Sequence, residues 1–327
     1  MCRIIWWWHY LQGEIMTTFT NKHNAPIEII RSLNNDPYHK GEGVDASVTE
    51  LISSPRIRSL RNKYKDDIVV DVSDQIWSLL GQSVHNILER ANENEKDVKT
   101  EERMYATVRG WYISGQYDSL ALDDKILRDY KVTSVWSVIS AMDKGKVDWE
   151  NQLNMLAWLY YVNYGEEINK LEIIAICRDW NKNQYRRSGG NYPPSPVATI
   201  PVPLWTTNEQ FDYIQERVEL HKSASSIDSI TKGQRGLPDC TSEERWEKET
   251  KYAVMKKGRK SALKLYEDVV DAELRVEWEK KTAQENNKPV NIFYVEERKG
   301  ESTRCLGNYC GVAEFCEQFQ KTINQDN

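Results

Sequence analysis

From Met104 to Thr133 the chain is dense in aromatic and β-branched residues, and this stretch limits the possible folds more than any other. It divides into runs at 104–114, 115–122 and 126–133, with Asp123-Asp124 as turn chemistry between the last two, and so reads as an antiparallel meander. A two-residue loop at Asp123-Asp124 would set Asp118 directly opposite Asp129, with Cβ atoms about 5 Å apart. Lys131 follows Asp129 by two positions and leaves the same face of its strand. Two facing carboxylates repel each other unless a cation neutralises them or one takes up a proton. The turn is the weak step, because Asp-Asp is poorer than Asn-Gly at positive φ, and a three-residue loop would break the register unless a bulge restored it. Asp123 and Asp124 themselves read as solvated turn residues.

Residues 74–91 carry Ile76, Trp77, Leu80, Val84, Ile87 and Leu88 at helical spacing, with Asp71 or Ser73 as N-cap. His85 sits at the edge of that apolar face, one turn after Gly81. A lone histidine there is more often a satisfied core residue than a ligand. A second helix, 149–162, carries Gln152, and a strand at 171–179 follows. Beyond it come a loop with Arg186, Arg187, Gly189 and Gly190, an extended Tyr192-Pro-Pro-Ser-Pro196, a strand at 198–205 and a helix at 207–222. Residues 225–240 are the best candidate for a mobile connection. A helix is expected to open at the basic run Lys256, Lys257, Arg259, Lys260, Lys264 and reach about residue 283, with a short strand at 292–296.

Asp118, Asp129 and Lys131 each read singly as a solvated strand charge. Together they are what metal-assisted cleavage of a phosphodiester needs: carboxylates to hold a divalent cation and an amine beside the reacting phosphate. The flanking residues point the same way. Gly81-Gln-Ser-Val-His85, Gly115-Gln-Tyr-Asp118, Asp129-Tyr-Lys131 and Gln152-Leu-Asn-Met-Leu-Ala-Trp158, in that order over roughly residues 45–180, resemble the RecB-like branch of the PD-(D/E)XK nucleases. That group includes AddB and CRISPR-associated exonucleases and many phage relatives. The resemblance implies an α/β restriction-endonuclease-like core, with a central mixed β-sheet flanked by helices, a helical N-terminal part and a C-terminal cysteine cluster. It implies a division into a leader (1–45), a nuclease core (46–205) and a helical C-terminal part (206–327). It assigns Asp118, Asp129, the Tyr130 carbonyl and His85 to Mg²⁺ or Mn²⁺, Lys131 to the attacking water or the charge on phosphorus, and Gln152 to the DNA path or the steadying of the site. Leu156 departs from the family, which often has an aromatic four residues after the glutamine. Glu89 and Glu102 are further carboxylates, each equally a solvated position.

Three of six cysteines fall within twelve residues, Cys305, Cys310 and Cys316. A disulfide plus a spare thiol is the plain reading; without a credible secretion signal, metal binding is favoured. The resemblance implies a four-cysteine [4Fe-4S] cluster with three ligands after the core, and no cysteine lies between residues 3 and 176, so Cys240 is the expected fourth ligand. Four thiolates suit zinc equally. Cys177, inside an apolar run, reads as a buried strand thiol.

A net charge of -6 excludes a bulk polyanion binder, so any DNA contact must come from local basic patches. Two are candidates: Arg56, Arg58, Arg61, Lys63 and Lys65, and the run from Lys256 to Lys264. Tyr64, Trp246 and Tyr252 are interleaved aromatics that could stack bases. No stretch approaches the roughly 20 apolar residues needed to cross a bilayer. Met1 to Ile15 lacks a small-residue cleavage site, Met16 reads as an ordinary start, and the expected location is the cytoplasm, a host's if the chain is phage-encoded. The expected activity is DNA end digestion in recombination, repair or phage replication, alongside a recombinase, annealing protein or helicase. An endonuclease on the same core and an inactive nucleic-acid-binding assembly factor are the alternatives.

Overall fold

The computed structural model describes residues 18–35, 40–230 and 234–325. They fall into two compact units divided after Pro238. Cys2 and the tryptophan-rich start lie outside the described residues. Within the expected leader, Thr18–Thr20 pairs in parallel with Val69–Asp71, and Ile27–Asn34 is helical.

The first unit is built on a mixed five-stranded sheet in the order 197–202, 170–177, 126–133, 119–121, 98–100. Ile126–Thr133 and Lys170–Cys177 run parallel, joined by a crossover through the helices Val135–Lys144 and Val147–Tyr164; the remaining pairs are antiparallel. Helices flank this sheet. A smaller sheet orders Ala46–Ser47, Trp111–Gln116 and Arg103–Val108.

The run expected at 104–114 is broken. Arg109 and Gly110 take φ of 49° and 77°, the two positive angles of a type I′ hairpin, and Val108 pairs with Trp111 across them. The two arms of this hairpin continue out of the small sheet into the central one with unchanged register, since partner numbers add to 219 in both. Between the two sheets the ribbon breaks at Glu101-Glu102 and Tyr117-Asp118, and Glu101 holds φ of 51°. The next turn keeps the register expected from Asp123-Asp124: Ala121 pairs with Ile126 and Ser119 with Arg128. Its loop has four residues, Leu122 to Lys125, with Lys125 rather than an aspartate at positive φ.

Val147–Tyr164 lies against this ribbon and buries Leu153, Met155, Leu156 and Leu159. Close approach is possible because Gly115 has no side chain: a Cβ there would sit 2.6 Å from Leu156 Cδ2 and 2.8 Å from Leu159 Cδ1 and Val48 Cγ2. Thr207–Ile230 extends beyond the expected end at 222, and its Ile214 and Val218 join the main core. That packing carries the first unit past residue 205, where the sequence suggested a boundary. Arg217 Nε and Nη2 donate to the carbonyls of Leu51 and Ser53, which end the helix Val48–Ile52.

The first basic patch is partly structural. Arg56 is buried, donating to the carbonyls of Leu237 and Pro238 and to Gln234 Oε1, and Arg58 donates to the Asp45 carbonyl with its guanidinium over Trp111. Neither is disposed to meet a phosphate.

The second unit has a three-stranded antiparallel sheet, Lys264–Tyr266, Lys251–Lys256, Phe293–Arg298, with the helix Val269–Glu285 burying Ala272 and Val276 against Val254. The helix expected from Lys256 is therefore a hairpin. Gly258, at φ of 85°, closes a turn in which Arg259 N donates to the Lys256 carbonyl, and the helix begins only after Asp268, whose carboxylate accepts from Val270 N and Asp271 N. Among the described residues no helix is long and apolar enough to cross a membrane.

Candidate active site

Asp118 stands between two turns. Across the Arg109-Gly110 hairpin the register sets it opposite Glu101, and across the Asp123-Asp124 turn opposite Asp129. Its Oδ2 accepts from Tyr130 N at 2.5 Å, which fixes the carboxylate beside the next strand.

His85 closes the group from the helix Ile76–Asn92. Its Nε2 lies 3.0 Å from the Tyr130 carbonyl, and Nδ1 lies 3.4 Å from Asp118 Oδ1 and 3.8 Å from Glu101 Oε1. Ligand atoms of His85, Glu101 and Asp118 all fall within 4.8 Å of one another. Burial disfavours a charged imidazole, but the facing Asp118 and Glu101 carboxylates and the charge of Asp129 outweigh it, raising the pKa to about 10. Glu101 Oε1 is buried with no hydrogen-bond partner, a costly condition that a bound cation would relieve.

Asp129, Lys131 and Gln152 form an adjoining network. Lys131 Nζ is 2.6 Å from Asp129 Oδ2 and donates to Gln152 Oε1 at 3.0 Å, while Gln152 Nε2 donates to Asp129 Oδ1 at 2.7 Å. Burial and the neighbouring Asp118 push the Asp129 carboxyl upward against the pull of Lys131. Burial works against the Lys131 ammonium, but Asp129 overcomes it and holds the pKa above the usual lysine value. Lys131 is a fixed cation here.

The site includes one carboxylate not expected from the sequence. Glu101 takes the place beside Asp118, whereas Glu102 turns elsewhere and accepts from the hydroxyls of Tyr117 and Tyr164 at 2.6 Å each. Glu89 is exposed. The signal was available: a turn read at Arg109-Gly110 pairs Glu101 with Asp118 directly. Tyr160, four residues after Leu156 on the same helix, donates its hydroxyl to Glu166. The helix of His85 has no fully buried residue, and Trp77, Leu80 and Ile87 are exposed rather than in the expected apolar face.

Cys240, Cys305, Cys310 and Cys316 all belong to the second unit, and neither they nor the buried strand residue Cys177 form a disulfide among the described residues. Gln318 ties Cys240 to the segment after Cys316, accepting from Cys240 N at 2.9 Å and donating to its carbonyl at 3.0 Å. Burial raises the Cys305 thiol to about 11, with Cys310 and Cys316 adding to the shift. Such disfavour of the Cys305 thiolate is what a bound cation would remove. Among the described residues no three of these sulfurs lie within 4.8 Å of one another. A zinc tetrahedron with bonds of about 2.3 Å would bring them closer than that.

Solved structures similar to this chain include SSO0001, at 20% identity and a TM-score of 0.38 over 59% of this chain and 83% of that one. They also include an alkaline exonuclease from Laribacter hongkongensis, at 12% identity and 0.31 over 56% and 91%. A third is a phage-related exonuclease from Haemophilus somnus 129PT, at 13% identity and 0.28 over 63% and 82%. No family model matches the chain, and no curated protein does. Scores this low carry no inference about chemistry, which rests on the side chains above.

Proposed function

We propose that the chain is a metal-dependent deoxyribonuclease that hydrolyses phosphodiester bonds at DNA ends. One observation carries the reading: a histidine and two carboxylates converge within 4.8 Å beside a lysine whose ammonium is held in place by Asp129 and Gln152. A bound Mg²⁺ or Mn²⁺ supplies a polarised phosphate and a more acidic water. His85, Glu101, Asp118 and Asp129 would hold it. Lys131 keeps a positive charge at Nζ, suited to orient a water or to meet the negative charge that grows on phosphorus. Gln152 touches both Asp129 and Lys131 and fixes their rotamers, so it acts as a positioning residue.

Digestion with Mn²⁺ of linear and closed circular DNA, by the wild type and by Lys131→Ala, tests this. Loss of linear DNA alone, reduced about a hundredfold or more in the variant, supports it. Nicked circles move the reading to an endonuclease. A wild type with no metal-dependent loss overturns it and leaves a nucleic-acid-binding factor.

The four C-terminal cysteines are proposed to hold a [4Fe-4S] cluster as a structural clamp; zinc, the alternative, would have to draw the sulfurs closer than they stand here. A brown sample with broad absorbance after anaerobic purification supports the cluster; a colourless zinc-loaded one removes it. End digestion of this kind suits recombination, repair or phage replication in the cytoplasm, beside a recombinase, annealing protein or helicase.

A further inference from the structure

The helix of His85 runs antiparallel to the strand of Lys131: His85 meets Tyr130, while Trp77, eight residues earlier, meets Arg178 just beyond the strand Lys170–Cys177. Eight helical residues span about 12 Å. Trp77 is 57% exposed, with the Arg178 guanidinium 4.5 Å from its ring centroid. On the same end of the sheet, Arg178 N donates to the Thr133 carbonyl and the Asp179 carboxylate accepts from Val135 N, which brings in Trp136, 71% exposed. The short helix that follows adds Lys182, Arg186 and Arg187, all exposed and without a carboxylate partner among the described residues. Two large aromatic residues left in water, one of them under the Arg178 guanidinium, at an end of the sheet that also carries unneutralised cations, do not serve the core. They fit a ligand that offers flat rings and negative charge in alternation.

We infer that Trp77 and Arg178, with Trp136 on the same end of the sheet, form a platform on which single-stranded DNA rests before entering the metal site, the bases stacking on indole and the phosphates facing Arg178 and the Arg186–Arg187 pair. This rests on the nuclease reading and adds the substrate form. At about 3.4 Å per stacked nucleotide, 12 Å sets the platform three to four nucleotides from the scissile bond. Duplex ends bury their base faces, so the platform favours a free strand.

The test is anisotropy of fluorescein-labelled dT12 with the full chain in EDTA, which measures binding without cleavage. Trp77→Ala is expected to weaken it about tenfold, Trp77→Phe to restore most of the loss, and Arg178→Gln to act in the same direction. Trp278→Ala is the control, since Trp278 is also exposed under an arginine, Arg275 at 4.0 Å, but in the second unit. In Mn²⁺ digestion of dT12 the Trp77→Ala change should raise KM and spare kcat. Equal affinity of wild type and Trp77→Ala, or an equal loss in Trp278→Ala, overturns the platform even if DNA is digested. Trp77-dependent binding by a wild type that cleaves nothing keeps the platform and removes the nuclease reading.

Discussion

His85 Nε2 lies 3.0 Å from the Tyr130 carbonyl oxygen, and that contact decides what the other ring nitrogen faces. With Nε2 donating, Nδ1 is left directed at Asp118 and Glu101, the orientation that a carbonyl partner imposes on metal-binding histidines. His85→Ala should weaken Mn²⁺ binding, measured by calorimetry, by at least the roughly 10–100-fold that loss of a single outer partner costs. Unchanged affinity would remove His85 from the ligand set.

Glu101 and Glu102 are neighbours with opposite tasks. Glu101→Gln removes a charge from the cation site and should lower both Mn²⁺ affinity and turnover while leaving the urea midpoint near wild type. Glu102→Gln should do the reverse, costing about 1–2 kcal/mol through the two tyrosine hydroxyls it accepts from, with turnover retained. Paired denaturation and digestion assays separate them, and equal behaviour of the two variants would refute the division.

How far the site was legible follows from its turns. Asp123-Asp124 fixed Asp118 against Asp129 because a hairpin centre sets every pair in its ribbon, and the observed register agrees. The Arg109-Gly110 turn lay hidden inside an unbroken aromatic run, so Glu101 went unseen although it obeys the same rule. The basic run from Lys256 suggests a helix start, but charge density says little about backbone; Gly258 and the Asp268 cap are the better guides. Arg56 resembled a phosphate ligand only because burial by residues 178 to 182 positions away leaves no local trace.

Gly115 is a packing requirement written as a motif residue. Three buried side chains, from Leu156, Leu159 and Val48, would meet its Cβ at 2.6–2.8 Å and cannot all retreat. Gly115→Ala should lose about 1–3 kcal/mol in urea unfolding. Because Leu156 makes the nearest contact, Leu156→Ala should cost less in the Gly115→Ala background than alone, a coupling of about 0.5–3 kcal/mol. Additive losses would contradict the contact.

His221 gives the fold a pH dependence in acid. It is 1% exposed, its Nε2 facing the Leu51 and Ser53 carbonyls at 3.1 Å while Nδ1 is buried without a partner. Burial, then the charges of Arg217 and Arg58, lower its pKa from 6.5 to about 4 despite the two carbonyls. The unfolded chain therefore takes up a proton below pH 6.5 that the folded chain refuses until about 4. Stability should fall across that window by up to about 3 kcal/mol and then level off. His221→Gln should flatten this part of the profile relative to wild type in urea titrations from pH 7 to 4, and parallel profiles would exclude the role.

The hairpin at Gly258 gathers three exposed cations at one turn, in contrast to the paired cations of the second unit. Arg245, Lys251, Arg275, Lys280 and Arg298 each have a carboxylate oxygen within 3.1 Å. Lys257, Arg259 and Lys260 are exposed and have none among the described residues. Like charges so close repel, and on a chain of net charge -6 they are a place where a phosphate backbone gains from counterion release. Each phosphate contact contributes about 0.9 to the slope of log K against log salt on duplex DNA. Replacing all three by glutamine should therefore reduce the slope by about 2–3 and weaken binding to every sequence alike, since a backbone contact reads no base. An unchanged slope would mean that the hairpin is a solvated tip and that the DNA charge is met elsewhere.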